Sequence, residues 1–334
     1  MSRGRVLGAL IGLAISIGAG YFALRHVSLH AVWRALREAH YWYLIPAFAA
    51  MAVGVSFRVE RWRAMFPRES RPGFVPTFWA FVLGLFANNV LPARLGELAR
   101  MAALSRETGL RRTQVLTTIA LERVFDLAAL GLLAACTLPF APSGSLRRNL
   151  TLATIAIFAV ISLCLLAIAS ARVRALGARL VHRLPVIGGA RGERTLGSLR
   201  AGMDSLRDRR ALSIVLAWSL ASWIALSASN WFVLSMFDTG APWHAAVISV
   251  LATNLAMVVP SSAASIGVFE VAARASLTLY GVPAALALSF ALVLHAVNVV
   301  PTLPVGAVAL ARVGLSGREL VSGSDDGEPV REPV

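Results

Sequence analysis

Asn88-Asn89-Val90-Leu91-Pro92-Ala93-Arg94-Leu95-Gly96-Glu97-Leu98-Ala99-Arg100 closes a long apolar run that starts at Phe74. Asn and Pro weaken a helix, and backbone groups freed in lipid are costly unless protein or water satisfies them. A break here is therefore either buried or part of a cavity. If helix resumes at Gly96, Glu97 and Arg100 lie three residues apart and share a face. Arg94, Glu97 and Arg100 then stand at or just beyond membrane depth. A second break, Pro260-Ser261-Ser262-Ala263-Ala264-Ser265-Ile266-Gly267, interrupts another apolar segment and leads into Glu270 and Arg274. The two breaks read as two halves of one substrate-handling site.

Composition makes lipid the relevant solvent. Of 334 residues, 57% are hydrophobic and 15% charged, whereas soluble domains are about a quarter charged. The chain reads as an all-α polytopic membrane protein, in which each span needs about 20 apolar residues. The net charge is +15, and every basic residue is Arg. That excludes Schiff-base or P-loop lysine chemistry, although the bias itself reads as base composition. Arg residues cluster in short loops between apolar runs, the pattern of a cytoplasmic face meeting anionic headgroups, not of a nucleic-acid binder. Cys136 and Cys164 sit inside apolar runs and read as small buried hydrophobes. No His/Cys cluster has metal-ligand spacing, so no metal or cofactor is expected.

Six full spans are expected, at 6–24, 41–57, 114–139, 150–170, 212–237 and 283–310. The first resembles a signal peptide but reads as a retained helix, because its uncharged run is long and another span follows closely. Residues 25–40 read as a short interfacial helix. Residues 58–71 carry five Arg and two Glu and read as a cytoplasmic loop. Residues 171–211 carry ten Arg, with Val173, Leu176, Leu180 and Leu184 at helical spacing, then Leu196, Leu199, Met203 and Leu206 beyond Gly188-Gly189. They read as amphipathic surface helices facing anionic lipid. One transmembrane domain is expected over 1–312, with an acidic disordered tail at 313–334.

Residues 1–5, 58–71 and 171–211 hold seventeen Arg, against five in 25–40, 139–149 and 238–243. The first group is expected to be cytoplasmic, with both termini inside. That register requires the segments 74–112 and 244–280 to enter as re-entrant hairpins from opposite faces. The order of residue types agrees between them: Asn88/Asn89, Pro92, Gly96, Glu97, Arg100 in one, and Asn254, Pro260, Gly267, Glu270, Arg274 in the other. Each precedes a span with polar residues, Glu122, Arg123 and Asp126 in the first case, His295 and Asn298 in the second. An inverted repeat with interrupted segments in corresponding halves points to a transport site.

Ionisable residues at membrane depth are functional or paired. Two readings stand side by side. In one, Arg94, Glu97, Arg100, Glu122, Arg123, Asp126, Glu270, Arg274 and His295 neutralise one another within the bundle. Glu122 and Asp126 share a helical face and need a cation, which Arg94, Arg100 or Arg274 would supply. In the other, these residues line a polar cavity with Asn88, Asn89 and Asn298. There Arg binds phosphate bidentately and the helix starts after Pro92 and Pro260 face an anion. No Gly-x-Ser-x-Gly, His-Glu-x-x-His or phosphate-binding glycine motif marks an enzyme.

Asn89-x-x-Pro92-x-Arg94-x-Gly96-Glu97-x-x-Arg100, Glu122-Arg123-x-x-Asp126, Pro260 followed by Gly267-x-x-Glu270, and His295-x-x-Asn298-x-x-Pro301 resemble the lysylphosphatidylglycerol synthase transmembrane (flippase-like) family over roughly residues 5–312. The resemblance implies a helical membrane protein with re-entrant segments, structurally broken at Pro92, Gly96, Pro260, Gly267 and Pro301. In bifunctional relatives this region is linked to flipping lysyl-lipid made by a separate soluble domain. This chain ends soon after its last span, so synthase activity is expected to be absent. Standalone relatives are associated with hopanoid, glycolipid and polyprenyl-linked sugar pathways. The expected function is thus translocation of an anionic, aminoacylated, polyprenyl-linked or hopanoid lipid across a bacterial inner membrane. The alternatives are a membrane enzyme or accessory subunit acting on lipid-linked sugars beside a lipid-biosynthesis partner, and a scaffold recruiting a partner through 171–211. One departure matters: Pro-Ser-Ser-Ala-Ala-Ser stands where relatives often have Pro-x-Pro-Gly-Gly, which leaves the shape of the second break open.

Overall fold

The computed structural model describes residues 3–25, 27–91, 95–142, 209–257 and 262–314, with part of 144–160. Every regular element among them is helical. In chain order the principal helices are α1 (Arg3–Leu24), α2 (Leu29–Glu38), α3 (Leu44–Ala64), α4 (Phe74–Val90), α5 (Gly96–Thr108), α6 (Arg112–Thr137), α7 (Arg209–Leu234), α8 (Trp243–Ala256), α9 (Val268–Thr278), α10 (Ala284–Val299) and α11 (Thr302–Val313). The segments 161–208 and 315–334 lie outside the described residues, and with them most of the basic loop, the tail, Cys164 and half of the span at 150–170. Pro92, Ala93, Arg94, Pro260 and Ser261 lie outside them as well.

Among the described residues, three segments are long and apolar enough to cross a membrane: Tyr41–Ala64, Arg210–Leu234 and Ala284–Val313. The last runs through Pro301, whose backbone stays α-helical at φ −66° and ψ −27°. α10 and α11 thus adjoin across Pro301, since proline removes one hydrogen bond but keeps a helical φ. At 26 residues α6 has comparable length, about 39 Å, but carries Glu122, Arg123 and Asp126 within it.

The packing sorts into two groups around a shared spine. α3 and α7 run antiparallel: Ser229 donates to the Ala47 carbonyl at 2.9 Å, and Gly54 lies against Ser222 and Leu226. On one side Trp62, Phe66, Phe81, Leu104 and Ile119 join α3, α4, α5 and α6. On the other, Phe269, Leu277, Phe290 and Leu294 join α7, α9 and α10. α11 returns to the first group, where Gly306 meets Phe86 and Asn89 donates to Thr302 at 2.7 Å. Large apolar side chains such as Ile17, Ile45, Ile224, Trp231 and Val308 face outward, as expected where the surrounding medium is lipid.

Two sequence expectations change. Residues 58–71 do not form a loop throughout. α3 continues to Ala64, and Arg61 and Trp62 are 0% exposed. The charge is tolerated because carboxylates on α6 meet it, a pairing that no local count of Arg reveals. Cys136 is exposed on α6, not buried. In lipid an outward face is itself apolar, so an apolar neighbourhood does not imply burial in protein.

Candidate functional site

Both interrupted segments fold as helical pairs. In the first, α5 doubles back on α4. A Cβ on Gly96 would strike the Gly84 carbonyl and the Asn88 side chain, so only glycine permits this crossing. Asn88 Oδ1 accepts from the Gly96 N–H at 2.8 Å and so satisfies an orphan donor at the start of α5. In the second, α9 follows α8 after a turn at Ala263–Ser265. Ala264 and Ser265 have φ of 55° and 58°, the left-handed region that non-glycine residues avoid. This stretch lacks the glycines of the expected pattern, so the turn forms under strain. Gly267, at φ 87°, sits against the Ser16 carbonyl and Gly20 nitrogen of α1.

A cavity of about 530 Å³ opens between the two pairs, within the size range of ligand sites. Of the expected residues, Asn88, Asn89, Gly96, Glu97, Arg100, Glu122, Arg123, Asp126, His295 and Asn298 line it. Glu270 lies just behind the lining. Its carboxylate accepts from the Gly267 N–H at 2.6 Å and makes a short contact with Nδ1 of His295. Arg274 is placed elsewhere. It donates to the Ala23 and Phe22 carbonyls at 2.7 and 3.0 Å and closes the C-terminal end of α1, as a cation at a helix C-terminus should.

The charges form one network. Arg61 donates to Glu122 at 2.7 Å and to Asp126 at 2.5 Å. Arg100 donates to the other oxygen of Glu122 at 2.5 Å and stacks on Trp62 at 4.8 Å. Trp223 Nε1 donates to Asp126 at 3.2 Å. Arg123 stands 3.7 Å from Glu97 and 3.8 Å from Asp126, beyond hydrogen-bond reach, with its side chain 56% exposed. Arg58 lines the cavity with its guanidinium 4.6 Å over the Trp223 ring. The pairing partner of Glu122 and Asp126 is thus Arg61 together with Arg100, and not Arg274.

Sequence reasoning missed Arg58, Arg61, Trp223, Asn230 and Thr302. The spacing of Arg58 and Arg61, three apart beside Val59 and Trp62, was the available signal: it continues the helical face of α3. Nothing local marks Trp223 or Asn230, which are polar edges inside an apolar span. Among the described residues no group of three or more His, Cys, Asp and Glu has the arrangement of a metal site.

Residues 9–306 match the family model described as the lysylphosphatidylglycerol synthase TM region. No functionally curated protein matches the chain. With nearly the whole transmembrane portion matched, the chain belongs to the lysylphosphatidylglycerol synthase TM region family.

Proposed function

We propose that this protein moves the headgroup of a lipid between the leaflets of a bacterial inner membrane, the lipid being an anionic or aminoacylated phospholipid or a polyprenyl-linked or hopanoid lipid. One observation carries the reading: a cavity among the helices of a membrane protein, with charged and amide side chains in a lining drawn from both interrupted pairs. Polar groups in the hydrocarbon region are costly and persist where they serve a pathway. Asn88, Asn89, Asn254 and Asn298 offer neutral hydrogen bonds along the cavity, Glu97 and Arg123 offer charge, and the apolar outer faces leave acyl chains in lipid.

On this reading α4–α5 and α8–α9 are re-entrant hairpins that enter from opposite faces, and both termini are cytoplasmic. The arrangement is that of discontinuous helices around a transport site. The unequal Arg content of the loops supports the orientation.

Reconstituted vesicles with labelled phosphatidylglycerol test the function. Wild type should exchange label between leaflets faster than protein-free vesicles, and a Glu97→Gln, Arg123→Ala variant should lose most of that gain. Equal exchange by wild type and variant would remove the cavity from the mechanism. Topology is tested by single cysteines at positions 110 and 241, which should label from opposite sides. Labelling of both from one side would refute opposed hairpins.

A further inference from the structure

The cavity's cations are not equivalent. Arg61 is spent on Glu122 and Asp126, and Arg100 on Glu122. Arg58 makes no direct ion pair among the described residues, although Asp126 and Glu122 lie within electrostatic range. Its Nε is sealed without a hydrogen bond, and the side chain lines the cavity. Trp223 fixes the guanidinium from one side at 4.6 Å, and the ring is itself fixed by its hydrogen bond to Asp126. The described part of this wall holds four Arg (58, 61, 100 and 123) against three carboxylates (Glu97, Glu122 and Asp126). This wall carries one more cation than carboxylate, with Glu270 held by His295 on the opposite wall.

We propose that Arg58, stacked on Trp223 and seconded by the loosely held Arg123, is the anion anchor of the cavity, and that its ligand is a phosphate ester of net negative charge. This rests on the reading of the cavity as a headgroup site. A guanidinium with a free terminal edge receives two phosphate oxygens in parallel, which an ammonium cannot reproduce. The ring behind it excludes water from one face and contributes cation–π attraction. An aminoacylated lipid of net positive charge brings the wrong sign to this wall. A phosphodiester of net charge −1 cancels the surplus.

The test is equilibrium binding to the purified full chain, delipidated in neutral detergent, with short-chain phosphatidylglycerol, phosphatidylcholine, lysyl-phosphatidylglycerol and inorganic phosphate as ligands. Phosphatidylglycerol should bind about tenfold tighter than phosphatidylcholine or the lysyl lipid, the scale of one charge-assisted hydrogen bond. Arg58→Gln should remove that advantage, weakening phosphatidylglycerol binding more than phosphatidylcholine binding. Arg58→Lys should keep part of it, and Arg123→Gln should cost less than Arg58→Gln. If Arg58→Gln does not fold, judged by its melting midpoint, Arg58→Lys and Trp223→Phe carry the test through the same loss of selectivity. Inorganic phosphate that competes marks the anion alone as sufficient, and failure to compete assigns recognition to the lipid ester. Both support the anchor when Arg58→Gln weakens binding. Equal affinities of wild type and the Arg58 variants for phosphatidylglycerol, or equal binding of phosphatidylglycerol and phosphatidylcholine by wild type, would overturn it. Selective binding without leaflet exchange would refute transport and leave the anchor standing. Exchange that ignores both lipid charge and Arg58 would refute the anchor alone.

Discussion

The two helical pairs face one cavity with different chemistry. The α4–α5 side, with α3 and α6 behind it, joins Arg61, Arg100 and Arg123 to three carboxylates and sets Arg58 beside them on Trp223. The α8–α9 side, with α10, carries one engaged carboxylate, one imidazole, two Asn and several hydroxyls. The first side is electrostatically specified and has a surplus. The second is specified by backbone shape, through the left-handed residues Ala264 and Ser265 and the close approach of Gly267 to α1. A repeated outline of break, acid and following polar helix thus does not imply repeated roles. One half concentrates charge and the other is set by backbone geometry.

The largest expected effect probes this asymmetry directly. Glu122→Gln leaves Arg61 and Arg100 without their shared counter-charge inside the bundle. It should cost about 3–5 kcal/mol, read as a lowered denaturation midpoint in detergent. Glu270→Gln keeps an oxygen for the Gly267 N–H and loses one charge-assisted contact to His295, so its cost should be about 1–2 kcal/mol. Equal losses would break the contrast between the two sides.

Steric effects come next. Gly96→Ala drives a methyl into the Gly84 carbonyl and the Asn88 side chain and should cost about 1–3 kcal/mol by overpacking. Gly267→Ala meets the Ser16 carbonyl of α1 and adds left-handed strain of about 1–2 kcal/mol to that. Both are measurable in the same denaturation assay, and a neutral Gly96→Ala would mean that α4 and α5 do not cross as described. A smaller loss, about 1 kcal/mol, is expected for Asn88→Ala, which removes the cap from α5. The smallest effect has the opposite sign. Ala264→Gly relieves left-handed strain and should stabilise by at most about 1 kcal/mol after glycine's added chain entropy. A clear loss would show that the second turn is not strained.

Much of this was legible in the sequence because membrane depth makes polar residues conspicuous. The breaks near Pro92 and Gly267, the acids on α6, and Glu270 and His295 as separate polar residues all stood out against apolar runs. Two kinds of information were hidden. Arg58 and Arg61 sit where an apolar run fades into an Arg-rich stretch, and counting charges assigns them to a loop. Only the carboxylates of α6, more than sixty residues away, keep Arg61 within the bundle. Arg274 resembles Arg100 in sequence order, yet it serves the end of α1, because its helix is packed by α1 and not by α6. Partner identity across helices is a property of packing, which local pattern does not encode.

The most direct test of the account is whether the space between the two pairs is wet and reached from both. Single cysteines are placed at Asn88, at Asn254 and at the lipid-facing Ile224, in a background lacking Cys136 and Cys164, and exposed to a water-soluble, membrane-impermeant thiol reagent in proteoliposomes. The account predicts ready modification at positions 88 and 254, slowed by added phosphatidylglycerol, and little at 224. Modification at 88 and 254 no faster than at 224 would contradict it.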